Sequence, residues 1–229
     1  MDRATRRLVI EFLSGFITPS RHQRILEVLS KRTPYLTVVL EDIYQSHNAS
    51  AVLRSCECFG IQDVHIIENR NVFEVSQEVA MGSSKWLDLH RYNQNENNTL
   101  ECLHSLRSKG FTLVATSPHE NDYTPATLPL DKPVALLFGT ELGGLTPEAL
   151  SMADAYLRIP MAGFTESFNI SVSAAICLYE LSTRIRNSEL PRTFSEDEYD
   201  ALHLRWLKAS IKSADFIIER FLKNKQPKH

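Results

Sequence analysis

Residues 159–175 read Ile-Pro-Met-Ala-Gly-Phe-Thr-Glu-Ser-Phe-Asn-Ile-Ser-Val-Ser-Ala-Ala. An apolar run over 155–159 predicts a short strand. Residues 160–167, with Pro160 and Gly163, predict a loop, and a helix is expected from about Asn169. The first N–H groups of such a helix have no partner within it, so the loop could hold a polar or anionic ligand. Two further stretches carry side chains that could act on that ligand. Asn48-Ala-Ser-Ala-Val-Leu-Arg54 puts an amide near a helix start and a guanidinium six residues later. Leu136-Leu-Phe-Gly-Thr-Glu-Leu-Gly-Gly-Leu145 leads from a buried strand into a loop where Gly143 and Gly144 let backbone approach a ligand beside Glu141. Each residue also has a plain structural reading. Arg54 could be half of a surface ion pair. Asn48, Ser167 and Asn169 could be helix caps, and Glu141 a solvated loop acid.

The elements that would position these groups alternate. Strands are expected at 36–40, 64–67, 86–90, 111–115, 134–138 and 155–159, and helices at 48–59, 96–109 and 169–187. A short helix should start at Thr146-Pro147, with Thr as N-cap. The strands are apolar throughout rather than alternating, which predicts a parallel sheet with helices on both faces. Ligands of such sheets bind beyond the carboxyl ends of the strands, where all three stretches and Thr116 would lie. Before the sheet, helices at 3–17 and 20–32 are expected, the second with Ser20 and Gln23 as a capping box. After it, a linker at 189–194 precedes one long helix at 196–224, capped by Ser195 and Glu198. The expected divisions are a helical arm at 1–34, a central domain at 35–188 and a helical extension at 189–229.

Composition narrows the class. The hydrophobic share of 43% and charged share of 23% are those of a globular protein. No apolar run is long enough to span a membrane and the first residues are not those of a secretory signal, so a cytoplasmic protein is expected. Cys56, Cys58, Cys102 and Cys177 have no Cys-x-x-Cys spacing and the histidines are scattered, so reduced, structural cysteines and no metal are expected. The net charge of −3 is unevenly spread. Residues 1–32 hold seven Lys/Arg against three acids and residues 205–229 hold seven against two, while the rest is acidic. Basic ends around an acidic middle suit a grip on a polyanion.

Taken together and in order, the stretches at 48–54, 136–145 and 159–175 resemble the three motifs of the SPOUT family of RNA 2′-O-methyltransferases, in its SpoU/TrmH branch. The resemblance spans about residues 36–187. It implies a SPOUT trefoil-knotted fold, S-adenosyl-L-methionine as methyl donor without a metal, and a homodimer. It implies that Arg54 is catalytic, with Asn48, Glu141, Ser167 and Asn169 serving the active site, the last two partly across a dimer interface. It also implies that Thr116, Gly139, Glu141, Gly143, Ile159, Met161, Ser167 and Phe168 hold the cofactor. Thr140, Phe168 and Ile170 depart from the usual motif residues, and the Phe168 ring would crowd or stack in an adenine pocket.

Methyl transfer needs the donor held with its methyl exposed, the hydroxyl aimed at it and the proton removed. The family's arginine is proposed as the base, but a guanidinium almost never loses its proton. Stabilisation of an alkoxide and a neighbouring phosphate suits Arg54 better. The short helical N-terminal arm and helical C-terminal extension resemble the tRNA enzymes of the branch, which methylate the guanosine at position 18 in the D-loop. A ribosomal RNA target stays open. Two rivals are a catalytically silent RNA-binding protein on the same fold and a nucleotide-dependent oxidoreductase. Against the latter, the glycine loop lacks the Gly-x-Gly-x-x-Gly spacing and comes late in the sheet.

Overall fold

The computed structural model describes residues 1–117, 122–190 and 193–225. In chain order the elements are α1 (Arg3–Ser14), α2 (Pro19–Leu29), β1 (Leu36–Glu41), α3 (Ser46–Phe59), β2 (Asp63–Ile67), α4 (Gln77–Ala80), β3 (Asp88–Tyr92), α5 (Asn98–Ser108), β4 (Thr112–Thr116), β5 (Val134–Phe138), α6 (Pro147–Met152), β6 (Ala155–Leu157), α7 (Ile170–Arg186), α8 (Glu196–Ser210) and α9 (Ala214–Lys225). They form two compact units, one of residues 33–192 and one built from both ends of the chain, 1–32 with 193–229.

The central unit holds a six-stranded sheet in the order β3-β2-β1-β5-β4-β6, and every pairing is parallel. The two innermost strands, β1 and β5, are buried along their whole length, which is why their sequences lack alternation. Successive side chains of β1 point to opposite faces. Val38 packs in a core with Val52, Leu53 and Cys56 of α3 and Cys177, Leu178 and Leu181 of α7. Val39 packs in a second core with Leu103 and Leu106 of α5 and Ala149 and Met152 of α6. The parallel sheet flanked on both faces is therefore present as the strand composition implied.

Several boundaries differ from the sequence reading, each for a local reason. The third strand is at Asp88–Tyr92 rather than 86–90, because residues Ser83–Trp86 form a 3-10 turn. β6 stops at Leu157. Helix α2 is capped not by Ser20 but by Thr18, whose Oγ1 accepts from the Arg21 N–H at 3.2 Å. Pro19, with no N–H to satisfy, then fits the first helical position. The expected helix at 196–224 is two helices. Ile211 is extended and Ser213 takes φ 58°, so the chain turns between α8 and α9, and Phe221 of α9 stacks on Phe12 of α1 with ring centroids 4.0 Å apart. Ser195 and Glu198 do form the capping box of α8.

In the end unit, α1 lies against α8 through ion pairs. Arg6 Nη1 meets Asp197 Oδ1 at 2.7 Å, Arg7 Nε meets Asp200 Oδ2 at 2.7 Å, and Arg3 pairs with Glu196 and Asp200. Three of the N-terminal arginines are thus committed inside the unit.

Candidate active site

The site begins with the start of α3. Its N-cap is Gln45, which makes no side-chain capping bond, and Asn48 lies inside the helix rather than at its cap. The Asn48 side chain is buried and turned to other elements. Its Nδ2 donates to Glu141 Oε1 at 2.7 Å and to Gln45 Oε1 at 3.0 Å, and its Oδ1 accepts from Asn169 Nδ2 at 3.1 Å. Asn169 is the N-cap of α7, its Oδ1 accepting from the Ser171 N–H at 2.9 Å. One amide therefore joins all three sequence stretches, and each end of the chain of bonds is fixed by an element of the fold.

Next to this junction, at the carboxyl ends of β4, β5 and β6, lies a cavity of about 330 Å³, within the range of small-molecule sites. Thr116, Gly139, Glu141, Gly143, Ile159, Met161, Ser167 and Phe168 all line it. Its wall at 139–144 is a tight loop. Thr140 and Gly144 exchange backbone hydrogen bonds at 2.9 and 3.0 Å, and the Gly143 N–H donates to Thr140 Oγ1 at 3.0 Å. A Cβ on Gly139 would stand 2.1 Å from the Gly144 carbonyl atoms, so only glycine allows the loop to fold back this closely. Gly144 takes φ +67°, which glycine adopts without strain. The Thr116 hydroxyl donates to the Leu137 carbonyl at 2.7 Å, tying β4 to β5 at the cavity edge.

Glu41, left outside the strand expected at 36–40, is instead the last residue of β1 and is 1% exposed. Its Oε1 accepts from the hydroxyls of Thr99 at 2.6 Å and Thr146 at 2.8 Å, and its Oε2 accepts from the Thr146 N–H at 2.9 Å. Thr146 also caps α6 through the Ala149 N–H. Glu41 thereby anchors the far end of the glycine loop. The next residue, Asp42, takes φ 54°, and its Oδ1 accepts from the backbone N–H groups of Asn69, Arg70 and Asn71, fixing the loop after β2. An acid that ends an otherwise apolar, β-branched strand was the available signal for such a role.

Arg54 does not join this network. It is exposed on α3, outside the cavity lining, and its side chain has no ion pair or hydrogen bond among the described residues. Six residues separate it from Asn48, roughly 9 Å along the helix axis and a third of a turn around it. Cys102 and Cys177 are buried, and burial pushes both thiols up to about 12, which leaves them inert. Among the described residues there is no group of His, Cys, Asp and Glu suited to a metal ion, and no helix is long and apolar enough to cross a membrane.

The family model described as the SpoU rRNA Methylase family matches residues 35–179. The tRNA (guanosine(18)-2'-O)-methyltransferase of Borreliella burgdorferi is 43% identical over 208 residues, 91% of this chain and 94% of its own. The crystal structure of the A. aeolicus TrmH/SpoU tRNA modifying enzyme superposes with a TM-score of 0.74 at 28% identity, covering 85% of this chain and 98% of that one. The AdoMet-bound rRNA methyltransferase from Sinorhizobium meliloti aligns at 27% identity with a TM-score of 0.59, over 69% of this chain and 59% of its own. The matched region contains Asn48, Glu141 and Asn169 and the whole cavity wall, and the chain belongs to the SpoU rRNA methylase family.

Proposed function

We propose that the protein transfers a methyl group from S-adenosyl-L-methionine to the 2′-hydroxyl of an RNA ribose, and that its substrate is the guanosine at position 18 in the D-loop of tRNA. The observation that carries this reading is the Asn48 junction. It ties Glu141, on the cavity wall, to Asn169, at the head of the helix that closes the site. The tRNA target rests on the Borreliella burgdorferi and A. aeolicus relatives, which are similar over nearly their full lengths.

The cavity suits the cofactor. Backbone of the loops after β4, β5 and β6 supplies donors and acceptors for an adenine and a ribose, while Leu145, Leu157 and Ile170 supply apolar surface. The Gly139 cradle, which a Cβ would fill, keeps the loop backbone against the cavity. When bound, S-adenosyl-L-methionine supplies an electrophilic sulfonium methyl. The protein's own part is to hold and orient. Thr116, Gly139, Gly143, Ile159 and Met161 shape the donor pocket, with Phe168 at its exposed edge. Glu141, positioned by Asn48, and Ser167 present polar groups from the cavity wall toward the acceptor, and Asn169, the N-cap of α7, supports them through its bond to Asn48. Arg54 stabilises the developing 2′-oxyanion and an adjacent phosphate through its guanidinium fork.

The same reading includes a homodimer. Val172 and Tyr179 of α7 are 43% and 60% exposed, and Tyr179 borders an apolar groove with Ala175, Ile176, Ile159 and Pro160, directly beside the cofactor loop. It includes the trefoil threading of the SPOUT fold, supported by the return of α7 from the β6 edge to pack against α3. It assigns chemistry to the central domain and RNA grip to the helical ends, where fourteen Lys/Arg face nine acids and give an excess of +5. Arg54→Ala tests the chemical assignment. Methyl transfer should fall at least a hundredfold with cofactor affinity and circular dichroism unchanged, whereas near wild-type turnover would remove Arg54 from catalysis.

A further inference from the structure

The donor cavity does not end at its own rim. A second recess of about 360 Å³ is formed by residues 158–166, and four residues line both spaces: Arg158, Ile159, Met161 and Glu166. Two of the four are apolar and two are oppositely charged. Arg158 is the first residue past β6, and its position is set by the backbone. Its N–H donates to the Tyr123 carbonyl at 2.9 Å, and the Tyr123 N–H donates to the Tyr156 carbonyl at 3.1 Å. The guanidinium itself has no ion pair or hydrogen bond among the described residues, and neither has the Glu166 carboxylate. A half-buried cation with five donors and no partner among the described residues, on a ligand cavity, is suited to a carboxylate or phosphate of the ligand.

We propose that Arg158 and Glu166 form the subsite for a zwitterionic α-amino-acid group, Arg158 taking the α-carboxylate and Glu166 the α-ammonium. The inference rests on the reading of the cavity as the S-adenosyl-L-methionine site, and it assigns the methionine end of the donor to the junction of the two recesses. A phosphate of the RNA is the other anion that Arg158 could meet. Glu166 disfavours it, because a carboxylate on the same wall repels a phosphate and attracts an ammonium. Ile159 and Met161, also shared by both spaces, provide the apolar surface that the methylene chain between sulfur and α-carbon needs. The adenine end would then occupy the cavity at the strand ends, and the amino-acid end would point to the recess at 158–166.

Two ligands separate this proposal from a general effect on the pocket. S-adenosylhomocysteine and 5′-methylthioadenosine share the adenosine and a thioether and differ in the amino-acid end. Calorimetric titration of both into the full-length protein should show that Arg158→Ala weakens S-adenosylhomocysteine roughly tenfold and leaves 5′-methylthioadenosine within a factor of two. Glu166→Gln should act in the same direction, and Arg158→Lys should recover part of the loss. Unchanged 5′-methylthioadenosine binding also shows that the variant is folded. The proposal is overturned if Arg158→Ala weakens both ligands equally, or weakens neither. It is also overturned if that variant raises the KM for RNA while S-adenosylhomocysteine affinity stays at the wild-type value, which would assign Arg158 to a phosphate. Failure of the wild-type protein to bind either ligand would instead remove the donor-site reading itself.

Discussion

Replacing Glu41 should damage the molecule in a way that depends on which atoms are removed. Three hydrogen bonds converge on its carboxylate, two from hydroxyls and one from the Thr146 N–H. Glu41→Ala removes all three and leaves their donors in a site that was 1% exposed. At about 1 kcal/mol for each bond and about 0.8 kcal/mol for each buried methylene removed, the cost is about 3–5 kcal/mol. Glu41→Gln should behave differently. Hydroxyls both donate and accept, so those of Thr99 and Thr146 can rotate to accept from a side-chain NH₂. The amide oxygen can still receive the Thr146 N–H, and the cost should be about 1 kcal/mol. Urea denaturation followed by circular dichroism measures both values. Hydrogen exchange over residues 139–150 reports on the glycine loop, which should lose protection in the alanine variant and keep it in the glutamine variant. Equal damage from the two substitutions, or a loss below about 1 kcal/mol for Glu41→Ala, would refute the anchoring role.

Three other outcomes follow from the same geometry. Asn48→Ala breaks the links to both Glu141 and Asn169, so single-turnover methyl transfer should slow at least tenfold, with a smaller change in cofactor affinity. Burial and the neighbouring His22 ring hold His203 down to about 4, below the ordinary histidine value of 6.5. The unfolded chain therefore takes up this proton first, and the end unit should be fully stabilised above about pH 6.5. It should lose stability as pH falls from there toward about 4, a decline that His203→Gln should flatten in a series of melting temperatures. Lys212 and Arg220 have no ion-pair partner among the described residues, unlike Arg6. Reversing their charge should weaken tRNA binding and reduce its salt slope by about one for each phosphate no longer neutralised, while Arg6→Glu should act mainly on stability.

What was legible in the sequence was local. β5 could be read from Val134–Phe138 because a fully buried strand needs no alternation. Thr146-Pro147 and Ser195 with Glu198 announced helix starts because caps act over three or four residues. The cavity could be placed because parallel sheets put ligands at the carboxyl ends of their strands. What was hidden depended on partners far along the chain. Asn48 could equally have been a cap; its role appears only when Glu141, 93 residues away, and Asn169, 121 residues away, are brought to it. Glu41 looked like a loop acid because Thr146 lies 105 residues off. The basic N-terminal arm looked free because Glu196, Asp197 and Asp200, which neutralise its arginines, lie at the opposite end of the chain. The break at 211–213 left no glycine or proline to mark it, since Ser213 itself takes the positive φ.

The central claim is best tested by methyl transfer from labelled S-adenosyl-L-methionine to bulk tRNA and to ribosomal RNA, followed by nucleoside mass analysis of the product. The expected product is 2′-O-methylguanosine in tRNA, mapped to position 18 of the D-loop, and it should be lost in Arg54→Ala. Label in ribosomal RNA alone would contradict the tRNA assignment. No label in either RNA, with the cofactor bound, would contradict the catalytic reading.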